Sequence, residues 1–321
     1  MRLIAAVLLA AVFPAAAQDT YPSRPVRMII PYGPGGATDI IARIVAVPLA
    51  ESLGQSFIVE NRPGASGNLA LETVAKAPAD GYTLLVGNVT TNAINENTFT
   101  DRLSIRPSRD LVGVAKLVEI PHVLAVSATF PVTSVAAFIA EAKKNPGRIN
   151  YASAGLGSYP HLDMERLLKA AGIEATHVPY KDGAGKMVPS LLAGETQAAF
   201  INLTSTLPHI RAGKIRALAT TAASRVPELP DVPTMAEAGF AGIGTNAWQA
   251  MFAPAATPRP IVEKLHQALA AALNRPEMKE RLAKQMLSVA VSASPQEFDQ
   301  QVRKETQNWG EFLREAKIKV E

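Results

Sequence analysis

The sequence predicts an α/β protein built as two domains, and three observations carry that reading. The chain has 321 residues, more than one ordinary core at roughly 150 residues per domain. Hydrophobic residues make up 48% and charged residues 19%, a globular mixture unlike that of a disordered chain or a coiled coil. From Val26 onward, short apolar runs, glycine turns and helically spaced apolar residues alternate. That βαβα order implies parallel sheets covered by helices, each domain large enough to bury its own core.

Residues 1–17 stand apart. Arg2 precedes an apolar run from Leu3 to Phe13, Pro14 breaks it, and Ala15-Ala16-Ala17 offers the small-x-small pattern that signal peptidase needs. The run is too short to span a bilayer of ~30 Å, so it predicts a signal peptide cleaved near Ala17. The chain contains no Cys, which excludes disulfides, thiolate sites and a lipid anchor through Cys. The expectation is an exported, soluble chain in the periplasm.

The elements follow in order. Val26–Ile30 predicts a buried strand, and residues 31–39 make a glycine-rich turn into a helix that carries Ile40, Ile41, Ile44, Val45 and Leu49 and is closed by Gly54. Phe57–Val59 predicts a strand, Pro63–Gly67 a second turn into a helix through Val74, and Tyr82–Val86 another strand. A new set of units starts after Pro121: a strand His122–Val126, a helix Ser134–Lys144, a strand Asn150–Ala152, a Gly/Ser loop, and a helix from about His161 to Ala171. Thr176–Val178, a helix ending near Gly194, Ala198–Ile201 and Ala217–Thr220 complete that set. Pro227, Pro230 and Pro233 mark an extended loop, and Trp248–Phe252 is the last strand. From Pro260 the pattern is helical, with an amphipathic segment from Pro295 to about Lys317. The restart near Pro121 and the return near 246–248 predict two crossings between domains. The division expected is 22–121 plus 247–321 as a discontinuous first domain and 122–246 as the second.

Charge points to no nucleic acid. Lys plus Arg number 32 against 28 for Asp plus Glu, but the basic residues are scattered, as at Lys143-Lys144, and form no stripe that could track phosphates. The five His residues make no H-x-x-x-H or H-x-E cluster, so no metal or other cofactor is expected. Gly183-Ala184-Gly185-Lys186 looks like half a P-loop, but Met187 replaces the required Ser or Thr.

Two loops do suggest chemistry. Gly33–Thr38 and Ser153–Ser158 are small-residue loops that each feed a helix. A helix N-terminus supplies unpaired N–H donors and partial positive charge, an anion site that needs no Arg or Lys. One such loop from each domain could pinch an anion between them. His161 opens the second helix and either packs there or faces the cleft. An enzyme reading stays open beside the binding one: a secreted α/β hydrolase using Ser158 and His161, without an evident orienting acid or oxyanion motif.

A longer pattern then becomes specific. Tyr21-Pro22-Ser23-Arg24-Pro25-Val26, Pro31 to Asp39, Val59 to Ala65, Ala79 to Leu85, Tyr151 to Gly155 with His161-Leu162, Val178 to Lys181, Leu207 to Ile210 and Pro230 to Thr234 occur in order. Together they resemble the Bug family, the extracytoplasmic substrate-binding proteins of tripartite tricarboxylate transporters, over essentially the whole chain after the leader. The resemblance implies a two-lobed periplasmic-binding-protein fold, type II-like, closing on a small carboxylate by hinge motion, with a membrane permease or a sensor as partner. It implies no enzymatic activity, and a monomer is the expectation. By position it points to Tyr32, Gly36, Asp39, Asn88 and Thr91 in the first lobe, and to Ser153, Gly157, Ser158, His161 and Asn202 in the second. Asp39 fits an anion site only by positioning donors or water. The sequence departs from the family pattern at Ile201, where many relatives carry an acid, and at Asp182 and Lys186.

Overall fold

Val26–Ile30 (β1) carries four fully buried apolar side chains and becomes a strand of a first sheet, flanked on both edges by parallel neighbours. The computed structural model describes residues 21–245 and 247–316. The leader at residues 1–17 and Asn246 at the second expected crossing lie outside the described residues. After β1 comes α1 (Ala37–Leu53), which buries Ile41, Ile44, Val45 and Leu49 along one face. It stops at Gly54, whose φ of 74° and N–H bond to Ala50 O form a left-handed cap. The chain continues through β2 (Phe57–Asn61), α2 (Asn68–Ala75) and β3 (Thr83–Asn88). A π-helical turn at Thr90–Ile94, two short helices, α3 (Asn95–Thr98) and α4 (Pro107–Asp110), and the ten-residue strand β4 (Leu111–Ile120) complete this stretch.

Pro121 separates β4 from β5 (His122–Ser127), and with β5 the chain enters a second sheet. There follow α5 (Val135–Lys144), β6 (Asn150–Ser153), α6 (Tyr159–Ala171), β7 (Thr176–Pro179), α7 (Ala184–Ala193), β8 (Ala198–Asn202), α8 (Leu203–Arg211) and β9 (Ile215–Thr220). The Ser134 hydroxyl accepts the Ala137 N–H to start α5, and the Asn202 carbonyl accepts the Ser205 N–H to start α8. The chain then returns to the first sheet as β10 (Ala247–Pro254) and ends with α9 (Arg259–Leu273), α10 (Pro276–Ala283), β11 (Ser288–Val289) and α11 (Pro295–Ala316).

The first sheet has the order β11-β4-β10-β3-β1-β2, and the second β7-β6-β8-β5-β9. Each is covered on both faces. Ile41 and Leu265 pack on one side of the first sheet, Leu71 and Phe298 on the other. Phe138 and Leu167 lie over one side of the second sheet, Met187 and Leu207 over the other. The architecture is thus a two-lobed α/β fold crossed twice by the chain. The crossings run side by side, since Ala247 at the start of β10 pairs antiparallel with Ile120 at the end of β4.

Three expectations need correction. The sheets are mixed, not purely parallel, because β10 runs antiparallel to β3 and β4, and β5 antiparallel to β8 and β9. The strands that arrive from the other lobe run against their neighbours. β4 and α8 are regular elements that the apolar pattern did not announce. The tail is also not wholly helical, since β11 adds a two-residue edge strand beside β4.

Candidate functional site

The glycine turn after β1 sets the N-terminus of α1 at the junction of the lobes. Its N-cap is Gly36, which has no side chain to accept the N–H groups of the first turn. Those donors stay open for a ligand, as a helix end requires if it is to hold an anion. Gly36 has φ −83° and ψ 164°, so its role is space and not a glycine-only conformation. A Cβ there would stand 3.8 Å from the Ala184 Cβ across the cleft.

Around this helix end lies a narrow cavity of about 30 Å³. A water needs roughly 10–15 Å³ on the same measure, so the space suits a group of two or three heavy atoms, a carboxylate for instance. Tyr32, Gly36, Ala37, Thr38, Asn88 and Gln249 line it from the first lobe. The Thr38 hydroxyl donates to Gln249 Oε1 at 2.6 Å, which leaves the Gln249 amide nitrogen as a donor. Asn88 Oδ1 accepts both the Tyr32 hydroxyl at 3.3 Å and the Thr91 N–H at 3.3 Å. Burial pushes the Tyr32 phenol up to about 12, so it stays a neutral donor at neutral pH. From the second lobe come Ala154, Tyr159, Met187, Ile201 and Asn202. The Asn202 carbonyl is used to cap α8, and its amide nitrogen remains a donor.

The lobes are closed on each other. Tyr32 of the first lobe packs among Val123, Ala154 and Met187 of the second. The Ser66 hydroxyl donates to Leu156 O at 2.8 Å, and the Tyr159 N–H donates to Thr90 Oγ1 at 3.1 Å. Backbone meets backbone at Gly185, where a Cβ would fall 2.6 Å from Pro34 O.

Of the residues named from the sequence, Tyr32, Gly36, Asn88 and Asn202 line this cavity. Thr91 stands behind Asn88. Its hydroxyl accepts the Asn88 N–H at 3.0 Å and donates to Asn92 Oδ1 at 2.7 Å. Asp39 turns away from the cavity. Burial alone would raise its carboxyl, but hydrogen bonds from Arg43, the Gly35 N–H and Asn61 outweigh that and hold it below the ordinary carboxylate range. It shapes the glycine turn from behind.

Ser153, Gly157, Ser158 and His161 lie outside the cavity lining, because their loop satisfies itself. The Ser158 hydroxyl donates to Gly155 O at 2.7 Å, and His161 Nδ1 accepts the Gly157 N–H at 3.2 Å. Ser158 and His161 are therefore engaged with the loop backbone and not with each other, which removes the nucleophile–base geometry of the hydrolase reading. Ser153 Oγ donates to Gly155 O at 3.0 Å and also meets His177 Nε2 at 2.6 Å, and the His177 ring stacks on that of His161 with centroids 4.2 Å apart. Burial lowers the His161 imidazole to about 4. Burial, with the neighbouring His161, does the same for His177. Sequence reasoning missed Thr38 and Gln249 as a pair. They are 211 positions apart, and no spacing signal spans a chain that leaves a lobe and returns.

The fold and this interlobe cavity define a solute receptor of the two-lobed periplasmic type. A family profile described as the tripartite tricarboxylate transporter family receptor matches residues 41–318, and the chain belongs to that family. It is 36% identical to Protein BugT of Bordetella pertussis over 302 residues, covering 94% of this chain and 92% of BugT. An R. palustris protein solved with adipate superposes with a TM-score of 0.88 at 37% identity, covering 93% of this chain and 99% of that one. MatC from Rhodopseudomonas palustris, solved with bound malate, superposes with a TM-score of 0.85 at 33% identity, covering 91% of this chain and 99% of that one.

Proposed function

We propose that the chain is a periplasmic receptor that captures a small organic carboxylate between its lobes and presents it to a membrane permease or a sensor, without turning it over. The observation that carries this reading is the uncapped N-terminus of α1, which opens into a cavity lined by further donors. The proposed contacts are the first-turn N–H groups after Gly36 and the amides of Asn88, Asn202 and Gln249, with the Tyr32 ring as a wall of the site. Thr91, Asp39, Ser153, Gly157, Ser158 and His161 hold the loops that frame the site. The lobes divide at 22–121 with 247–321, and at 122–246, and the protein works as a monomer. The leader, cleaved near Ala17, delivers it to the periplasm. Adipate and malate, found in relatives, are the first ligands to try. Either is longer than this cavity, so the carboxylate end occupies it and the distal half extends along the junction of the lobes.

A thermal-shift panel tests the reading. A ligand at ~100 times its Kd stabilises by about 2.7 kcal/mol, and each kcal/mol moves Tm by roughly 2–4 °C in chains of this order. Butyrate, succinate, adipate and malate form the acid arm; glucose and putrescine form the control arm. Shifts confined to the acid arm are expected. A panel in which only the sugar or the amine shifts Tm overturns the reading.

A further inference from the structure

The two faces of the cavity differ in chemistry. The first lobe contributes donors: the open end of α1 and the amides of Asn88 and Gln249. The second lobe contributes mostly hydrocarbon, with Ala154, Met187 and Ile201 lining it. Its Tyr159 hydroxyl is already bonded to His122 Nε2 at 2.5 Å, so Asn202 is left as its polar group. No acidic side chain is among the lining residues.

The carboxylates nearby are engaged or set aside. Asp39 is held by Arg43, Asn61 and the Gly35 N–H. Asp163, fully buried, accepts both the N–H and the hydroxyl of Thr245. Asp182 packs against Gly33, its Cβ 2.9 Å from where a Gly33 side chain would begin, and is not among the lining residues. An ammonium group entering this cavity would shed its water and find no counter-charge. A charge buried in that way is strongly disfavoured.

We propose that the site selects organic acids that carry no amino group. One carboxylate is held by the first lobe, and an uncharged, largely apolar body rests against Ala154, Met187 and Ile201. This rests on the carboxylate-receptor reading above. Ile201 is the determinant. It is 1% exposed, sits next to Asn202 at the end of β8, and occupies the position where a carboxylate would supply the missing counter-charge.

The test uses matched pairs that differ only by an amino group: butyrate and 2-aminobutyrate, hexanoate and norleucine, succinate and aspartate. Each is titrated by calorimetry into the full protein stripped of ligand by unfolding and refolding. The amino partner is expected to bind about a hundredfold more weakly, roughly two decades at 1.4 kcal/mol per decade. Ile201→Asp should cut that ratio at least tenfold, while Ile201→Asn leaves it. Circular dichroism establishes that the variants are folded, and Met187→Glu replaces Ile201→Asp if the latter is not. A wild-type ratio under tenfold overturns the selectivity proposal while the receptor reading stands. A folded acidic variant with an unchanged ratio removes the assignment to this wall. If neither member of any pair binds, the receptor reading itself fails, which the panel above reports separately.

Discussion

Gly185→Ala is a wedge that should act on closure and on nothing else. Gly185 is the second residue of α7, in ordinary helical conformation, and an added Cβ would meet Pro34 O of the opposite lobe at 2.6 Å. Moving from 2.6 Å to the 3.4 Å at which ordinary contacts begin requires the lobes to part by about 0.8 Å at this point. A hydrogen bond of about 2.9 Å stretched by as much is lost. Overpacking of this kind costs about 1–3 kcal/mol, charged here against the closed state alone, which becomes roughly a 5- to 150-fold rise in Kd. The assay is calorimetry with whichever acid of the panel gives the largest shift. Small-angle scattering should show incomplete compaction, and the ligand-free Tm should be unchanged or slightly higher, since Ala suits a helix better than Gly. An affinity within twofold of wild type would refute the reasoning, because it would mean that binding does not bring α7 onto the Gly33–Gly36 turn.

Thr38→Val removes the hydroxyl bonded to Gln249 Oε1; the orphaned buried amide should cost about 1–3 kcal/mol of stability, read by urea unfolding, and weaken acid binding in parallel. Ser158→Ala deletes a bond to Gly155 O inside its own loop, so stability should fall by about 1 kcal/mol; a large loss of affinity at unchanged stability would instead put that hydroxyl on the ligand. Lys143→Ala and Lys144→Ala, on an exposed face of α5, should leave Kd unchanged, and a weakening there would point to a basic patch as the anion site. His161 is neutral in the fold, its imidazole lowered from 6.5 to about 4, so the unfolded chain binds more protons between those values. Its contribution is full above pH 6.5 and is lost as pH falls towards 4, on the order of 3 kcal/mol in total. His161→Gln should flatten the acid limb of unfolding free energy against pH, and an unchanged limb would show that the imidazole is solvated.

Local pattern carried most of the fold. The strand Val26–Ile30, the Gly54 stop, the helix ending at Lys144 and the amphipathic tail were legible because each is written in neighbouring residues. β4 escaped because Lys116 and Glu119 interrupt its apolar run, and α8 because Pro208 lies inside it. Half of the site was legible for the same reason. The glycine turn and helix start at 33–39 announce open donors. The matching loop at 153–158 has the same composition, yet its hydroxyls close on their own backbone at Gly155. Composition cannot tell a donor that faces a ligand from one already used. Gln249 reaches the site only through the return of the chain across the hinge, which no local pattern records.

The missing side-chain cap on α1 has a consequence for communication. When the lobes shut over nothing, the first-turn N–H groups lose water and gain no acceptor, at about 1–3 kcal/mol for each group left unsatisfied. A filled receptor escapes that penalty. Shape therefore reports cargo: a membrane partner that recognises only the shut outline would be engaged by loaded molecules and ignored by empty ones, without ever touching the ligand. Replacing Gly36 with Ser, whose hydroxyl could cap the helix from within, would corrupt that report, making shut but vacant molecules common enough to compete for the partner.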